Sequence, residues 1–241
     1  MTATHRLLPL LGPNGGSLIY SGLMALSLTV SAFFWTRRTR GNAQMTPVFL
    51  GAVMGALMGA KIGFLLAEGW MHFNHPNRLD IWLTGKTVLG ALLGGYAGVE
   101  LGKKVAGVRN ATGDWFALAV PAGLIAGRAG CLFHGCCTGV ACTWAPGGVW
   151  PAAWVEMAFN AMALAALAVL KRRGNHLGQL FHVYLIAYGL FRMLHEPLRS
   201  TPKLVGGISP YQVLALAVLV LGASRYLMRK RSTVEAQANP L

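Results

Sequence analysis

Acidic side chains are what this chain has least of. Seven Asp and Glu stand against 21 Lys and Arg, giving a formal net charge of +14, and charged residues of both signs make up only 12% of the 241. A soluble domain carries about a quarter. With 54% hydrophobic residues and a mean hydropathy of +0.50, the composition is that of an integral membrane protein. The placement of the basic residues excludes a nucleic-acid binder. Such proteins gather their cations on a soluble polar face, whereas here they punctuate apolar runs, the pattern of membrane topology or of contact with anionic headgroups. Cysteine is absent outside residues 131–142, so no disulfide framework staples the chain as a whole. No unit of 20–50 residues repeats, which excludes a solenoid. The opening "MTATHRLLPLLGPNGG" is short, broken by Pro and Gly, and shows no small-residue cleavage site behind an apolar core. The first apolar run is therefore expected to stay as a membrane helix.

About twenty apolar residues cross a bilayer as helix. Seven runs approach this length: 17–35, 47–68, 87–101, 115–132, 152–170, 180–194 and 210–228. The third is short and glycine-rich, and its small-residue spacing in "LGALLGGYAG" points to close helix–helix approach rather than lipid exposure. Basic clusters follow alternate runs: Arg37, Arg38 and Arg40 after the first, Lys103, Lys104 and Arg109 after the third, Lys171 to Arg173 after the fifth, and Arg225 and Arg229 to Arg231 at the end of the seventh. By the positive-inside rule these connections are cytoplasmic. The expectation is an all-α, polytopic protein. Residues 1–231 form one domain of seven transmembrane helices with the N-terminus outside, and residues 232–241 form a short polar cytoplasmic tail.

An ionisable group at membrane depth is costly and normally faces a bundle interior or cavity, with a partner. In the sixth run Tyr184, Tyr188, Arg192 and Glu196 recur every four residues, forming one polar stripe on which Arg192 and Glu196 can pair. A snorkelling arginine with a structural ion pair is the plain reading; the two tyrosines favour a lined cavity. Arg128 lies in "AGRAG", where small neighbours allow close approach, and a guanidinium grips phosphate in two places at once. If Arg128 and Arg192 converge at the outer ends of their helices, they make a phosphate clamp. Among the few acids, Asp114 is placed to cap the start of the fourth run. Glu156, near the outer start of the fifth, shares its depth with the arginines and is the better functional candidate.

Cys131, Cys136, Cys137 and Cys142, with His134, fall within twelve residues. C-x4-C-C-x4-C is not the usual zinc spacing, and no metal or other cofactor is expected, although a metal or redox role for the thiols stays open beside the readings that follow. Vicinal cysteines rarely bridge each other. Cys131 or Cys142 could bridge to one of the pair on an oxidising outer face, or the thiols are small buried hydrophobes or reactive groups.

Taken in order, these motifs resemble the bacterial prolipoprotein diacylglyceryl transferase family. Its signature G-R-x-G-N-F-x-N-G-E-x-x-G appears as "GRAGCLFHGCCTG", keeping Arg128, Gly130, Gly135 and Gly139. Its Y-G-x-x-R-x-x-x-E appears as "YGLFRMLHE", with Tyr188, Arg192 and Glu196; its acid ahead of the signature falls on Asp114, and its P-x-Q-L-Y-E on "PAAWVE", ending at Glu156. The departures are local. The family's third-helix histidine falls on Leu89, the signature asparagines on Cys131 and His134, its glutamate on Cys136 and its second arginine on Val140. The resemblance implies an inner-membrane enzyme with its site toward the outer leaflet. It would move a diacylglyceryl group from phosphatidylglycerol to a thiol, a lipoprotein precursor's or another acceptor's, with release of glycerol phosphate. Arg128 and Arg192 would hold the phosphate, and Glu196, Tyr188 or His134 would serve as base. Gly130, Gly135, Gly139, Glu156 and Tyr184 would line the substrate. Two other readings stand beside it: a thiol-redox or metal-handling protein on the same scaffold, motivated by the cysteines, and a non-catalytic lipid-binding partner, motivated by the lost polar residues.

Overall fold

The computed structural model describes residues 15–40, 42–145 and 147–238; residues 1–14 of the N-terminal stretch read above for a signal peptide lie outside them. The described residues form eight α-helices: α1 (Gly15–Arg38), α2 (Met45–Ala67), α3 (Arg78–Thr84), α4 (Val88–Ala106), α5 (Gly113–His134), α6 (Ala152–Arg172), α7 (Leu180–His195) and α8 (Pro210–Ala238). Short 3-10 turns occur at Gly69–His72, Glu196–Leu198 and Val205–Gly207. Among the described residues there is no strand, and β pairing is limited to the isolated bridges Gly139–Arg199 and Ala141–Val149.

Each of the seven expected runs is a helix. Five of them, α1, α2, α5, α6 and α8, are long and apolar enough to cross a membrane. The other two are α4, which carries Glu100, Lys103 and Lys104 in its last turns, and α7, which has 16 residues; at 1.5 Å per residue α7 rises about 24 Å, against a hydrocarbon core of about 30 Å. The spans leave apolar side chains facing outward, among them Leu26 and Phe34 on α1 and Leu57 and Leu66 on α2. α8 runs on to Ala238, through most of the segment read as a polar tail. α3 was not anticipated.

Two compact units divide the chain. The first comprises α1, α5, α6, the start of α7 and Pro197–Ser200. In it α5 packs on α6. Trp35 of α1 meets Trp115 and Phe116 of α5, with ring centroids 5.0 and 5.4 Å apart. Asp114 does not cap its own helix. Its carboxylate accepts the backbone N–H groups of Gly178 at 2.6 Å and Leu180 at 3.2 Å, so it secures the start of α7, where exposed amides and the helix dipole favour an anion.

The second unit comprises α2 to α4, Leu185–Glu196 of α7 with its turn, and the chain from Thr201 onward including α8. Its spine is a glycine seam. Gly51, Gly55 and Gly59 of α2 oppose Gly98, Gly94 and Gly90 of α4, so closely that a Cβ on any of them would fall on the facing carbonyl oxygen. Spacing by four keeps the glycines on one face of each helix, where they let the backbones meet. Lys61 of α2 donates to the carbonyls of Trp82, Leu83 and Gly85, closing the C-terminal end of α3.

Candidate functional site

In the first unit the charged residues meet at the C-terminal end of α5. Arg128, 7% exposed, donates through Nη2 to Oε1 of Glu156 at 2.7 Å. The other carboxylate oxygen of Glu156, which is fully buried, lies 3.5 Å from Nη1 of Arg199. Glu156 and Asp114 are the only acids in this unit's sequence. With Asp114 engaged at the start of α7, two guanidiniums share one carboxylate and the cluster carries a formal excess of one positive charge. A buried ion pair gains little net stability from its own attraction, because both ions lose their water. A two-to-one cluster therefore favours an anion beside it, whether a bound phosphate or the Cys137 sulfur, which lies 3.3 Å from Arg128 Nη1.

Local backbone explains how the cluster assembles. α5 ends at His134 with Gly135 as a left-handed cap, φ 74°, a conformation glycine adopts without penalty. The chain then turns through Cys137, φ 62°, an uncommon value for a residue with a Cβ. Gly139 bridges to Arg199, with the N–H of Val140 donating to the carbonyl of Leu198 at 3.0 Å and that of Gly139 to the carbonyl of Trp150 at 3.1 Å. A Cβ at Gly139 would lie 2.5 Å from that of Trp150 and 2.7 Å from the Leu198 oxygen. The absent side chain is what lets the Arg199 segment dock. Gly130 similarly leaves room for Tyr20 of α1. All three glycines thus serve a turn or a close approach. His134 is exposed, its ring 6.2 Å from that of Tyr20. Tyr184, which is buried, donates to Asn160 Oδ1 at 2.8 Å, and Asn160 donates to the backbone carbonyl of Glu156 at 2.8 Å, so Tyr184 braces the helix that carries Glu156.

The thiols gather beside Arg128. Its Nη1 lies 3.3 Å from Cys137 Sγ and 3.9 Å from Cys131 Sγ. Cys137 Sγ is 3.6 Å from that of Cys131 and 3.8 Å from that of Cys136. All four cysteines are free, and Cys142 is not among the three that converge. The flanking thiols of Cys131 and Cys136, with Arg128 and Arg199 behind them, hold Cys137 well below the ordinary thiol range. Hydrogen bonding with Cys131 and Cys137, together with burial, pushes Cys136 up.

In the second unit Arg192, 4% exposed, donates to Glu196 Oε2 at 2.6 Å, and Thr201 donates to Glu196 Oε1 at 2.7 Å. Lys203 Nζ reaches the backbone carbonyl of Glu196 at 3.2 Å. Here one guanidinium pairs with the carboxylate, and the Lys203 ammonium meets the same residue's backbone. Tyr188 is buried, with Phe191 at 6.2 Å between centroids. Sequence reasoning missed Arg199, Asn160, Thr201 and Lys203. Arg199 and Lys203 stand in a polar loop where no helical period singles them out; the hint was their charge at the depth assigned to the other arginines.

A family model for prolipoprotein diacylglyceryl transferase matches residues 16–228. The chain belongs to that family. Similar curated proteins are the phosphatidylglycerol–prolipoprotein diacylglyceryl transferases of a Dehalococcoides mccartyi strain, 25% identical over 93% of this chain and 95% of that one, and of Geobacter sulfurreducens, 27% identical over 88% and 91%. That of Pseudoalteromonas atlantica is 28% identical over 86% and 83%. The matched range includes both arginine clusters.

Proposed function

We propose that this protein is a membrane-embedded transferase that moves the diacylglyceryl group of phosphatidylglycerol to a cysteine thiol, that of a prolipoprotein or another membrane acceptor. The observation that carries this reading is the Arg128–Glu156–Arg199 cluster, a buried two-to-one excess of guanidinium over carboxylate in a chain of that family. In the reaction the acceptor's sulfur attacks the glyceryl carbon that bears the phosphate ester. The carbon–sulfur bond forms, the carbon–oxygen bond breaks, and glycerol phosphate departs with the electron pair. Negative charge grows on the departing phosphate, and fixed guanidiniums stabilise it there. Arg128 in the first unit and Arg192 in the second are the candidates for this role; Glu156 orients Arg128 and Glu196 orients Arg192 as positioning residues, and Tyr184 supports Glu156. The acceptor's proton goes to Glu196, Tyr188 or His134. The base is the one whose loss removes turnover while phospholipid binding persists.

The reading includes seven spans over residues 1–231 as one membrane domain, the N-terminus outside, residues 232–241 as a cytoplasmic tail, residence in the bacterial inner membrane, and a site toward the outer leaflet. The alternating basic clusters support this orientation. The test uses full-length protein in phosphatidylglycerol vesicles carrying a label in the diacylglyceryl group, with a cysteine-bearing lipoprotein-signal peptide as acceptor. Label is expected on the peptide sulfur, with equimolar glycerol phosphate released. Absence of transfer to the peptide and to other membrane thiols, or an Arg128→Ala protein as active as the parent, overturns the proposal.

A further inference from the structure

Three of the chain's four cysteines converge although their linear spacing fits no metal motif. We propose that Cys131, Cys136 and Cys137 form a three-thiolate site for a thiophilic metal ion such as Zn(II) or Cu(I). The sulfurs of all three lie within 4.8 Å of one another. Two of the separations are 3.6 and 3.8 Å, and a zinc–sulfur bond of about 2.3 Å sets sulfurs that share one ion roughly 3.8–4.0 Å apart. Two of the three separations thus match a shared ion to a few tenths of an ångström, and the third lies within 4.8 Å. Soft thiolate sets select such ions over magnesium or calcium.

The backbone that builds the tripod is specific. Cys131 comes from the last turn of α5. Gly135 reverses the chain in the left-handed region, and Cys137 follows in that region too, returning its sulfur toward Cys131. The electrostatics also fit. Three thiolates around a divalent ion leave one net negative charge, and the Arg128 guanidinium lies against two of the sulfurs to balance it. Cys131 is buried and the other two are half-buried, so solvent access is restricted but not closed. Three protein ligands leave a coordination position for an exogenous group, unlike the four-ligand closure of purely structural zinc sites. Cys142 lies outside the cluster and serves as the internal control.

The full-length chain, reduced and freed of metal in detergent, is titrated with Zn(II) and, separately, with Cu(I) delivered from a competing chelator; Cd(II) provides an optical thiolate-to-metal signal. About one ion per chain is expected, released on acidification as thiolate ligands demand. Cys131→Ser, Cys136→Ser and Cys137→Ser are each expected to weaken binding by more than the roughly 10–100-fold that loss of an outer-shell partner costs, and Cys142→Ser to leave it unchanged. Should the serine variants misfold, the parent chain still decides. Bound metal is expected to shield three thiols from maleimide and to leave Cys142 reactive. Stoichiometric binding that persists in the triple-serine protein, no binding to the parent, or equal labelling of all four thiols with and without metal overturns the site. Lipid transfer is not the readout, so this failure and failure of the transferase reading are separate results.

Discussion

Along α2 and α4 the chain brings backbone against backbone, and around Arg128 it brings charge against charge. Both regions are closely fitted, for different reasons. In the seam Gly51, Gly55 and Gly59 meet the backbone carbonyls of Gly98, Gly94 and Gly90, and these facing groups neither titrate nor exchange partners. Lipid tails are as apolar as any side chain, so such close packing and lipid entropy hold the pair together. In the Arg128 cluster three ionised groups and three thiols lie side by side, an arrangement that well-packed apolar residues of similar volume would match or exceed in stability. The one region is explained by stability alone; the other is not. A fold that holds both separates its scaffold from its chemistry, and substitutions should separate them too.

The largest effects belong to the charged cluster. Arg128→Ala is expected to lower transfer by about 10²–10³, the cost of removing one preorganised donor from a developing oxyanion, with transfer to a peptide thiol as the measurement. Glu156→Ala is expected to destabilise the protein by about 3–5 kcal/mol, because it leaves two buried guanidiniums without their shared counter-charge. Arg199→Ala, which leaves the shorter Arg128–Glu156 pair intact, should cost less. If Arg128→Ala lost stability but not specific activity, the cluster would be scaffold after all and the contrast with the seam would collapse.

Next in size is the seam itself. In Gly98→Ala the new methyl falls on the Gly51 carbonyl, with Gly51 carbonyl carbon and Gly55 Cα close behind. Overpacking of this kind costs about 1–3 kcal/mol, or about 2–4 °C of thermal midpoint per kcal/mol in a chain of this size. The specific activity of the surviving folded protein should match the parent. A scan of thermal midpoints in detergent, paired with the transfer assay, checks both halves.

How much of this was legible beforehand follows the same division. "LGALLGGYAG" announced a close helix approach, since spacing by four is visible in one dimension; its partner glycines on α2 were passed over because they sit in an otherwise strongly apolar run. Glu156 was singled out by depth, and the structure sets it against Arg128. Arg199 was invisible because it is brought to Glu156 by loop bridges to Gly139, 60 residues away in the chain. The thiols were visible as neighbours in sequence, but their convergence depends on two left-handed positions separated by one residue, Gly135 and Cys137, that spacing arguments assume away. α3 escaped because a search for long apolar runs overlooks a seven-residue helix. Asp114 looked like a cap for α5 and instead serves α7, a non-local choice that local capping rules do not reach. Asp114→Ala should therefore cost about 1 kcal/mol, the ordinary worth of a part-buried hydrogen-bonded anion at a helix start, read as a small drop in thermal midpoint with transfer unchanged.

The smallest expected effect has the opposite sign and tests the comparison most directly. Gly123 lies in the middle of α5, in the first unit, and a Cβ built there meets no atom within 4 Å. The same Gly→Ala change that overpacks the seam at position 98 has nothing to displace here. What remains is helix propensity, and alanine in place of a mid-helix glycine is worth about 0.5–1 kcal/mol in favour of the folded state. Gly123→Ala is expected to raise the thermal midpoint by a degree or two while leaving transfer and metal binding as they are. Two glycines, both in long apolar helices, would then give opposite responses to one added methyl. A fall at position 123 as large as that at position 98 would mean that α5 is packed on that face too, and that a glycine's surroundings, rather than the division between seam and charged cluster, decide where this fold is tight.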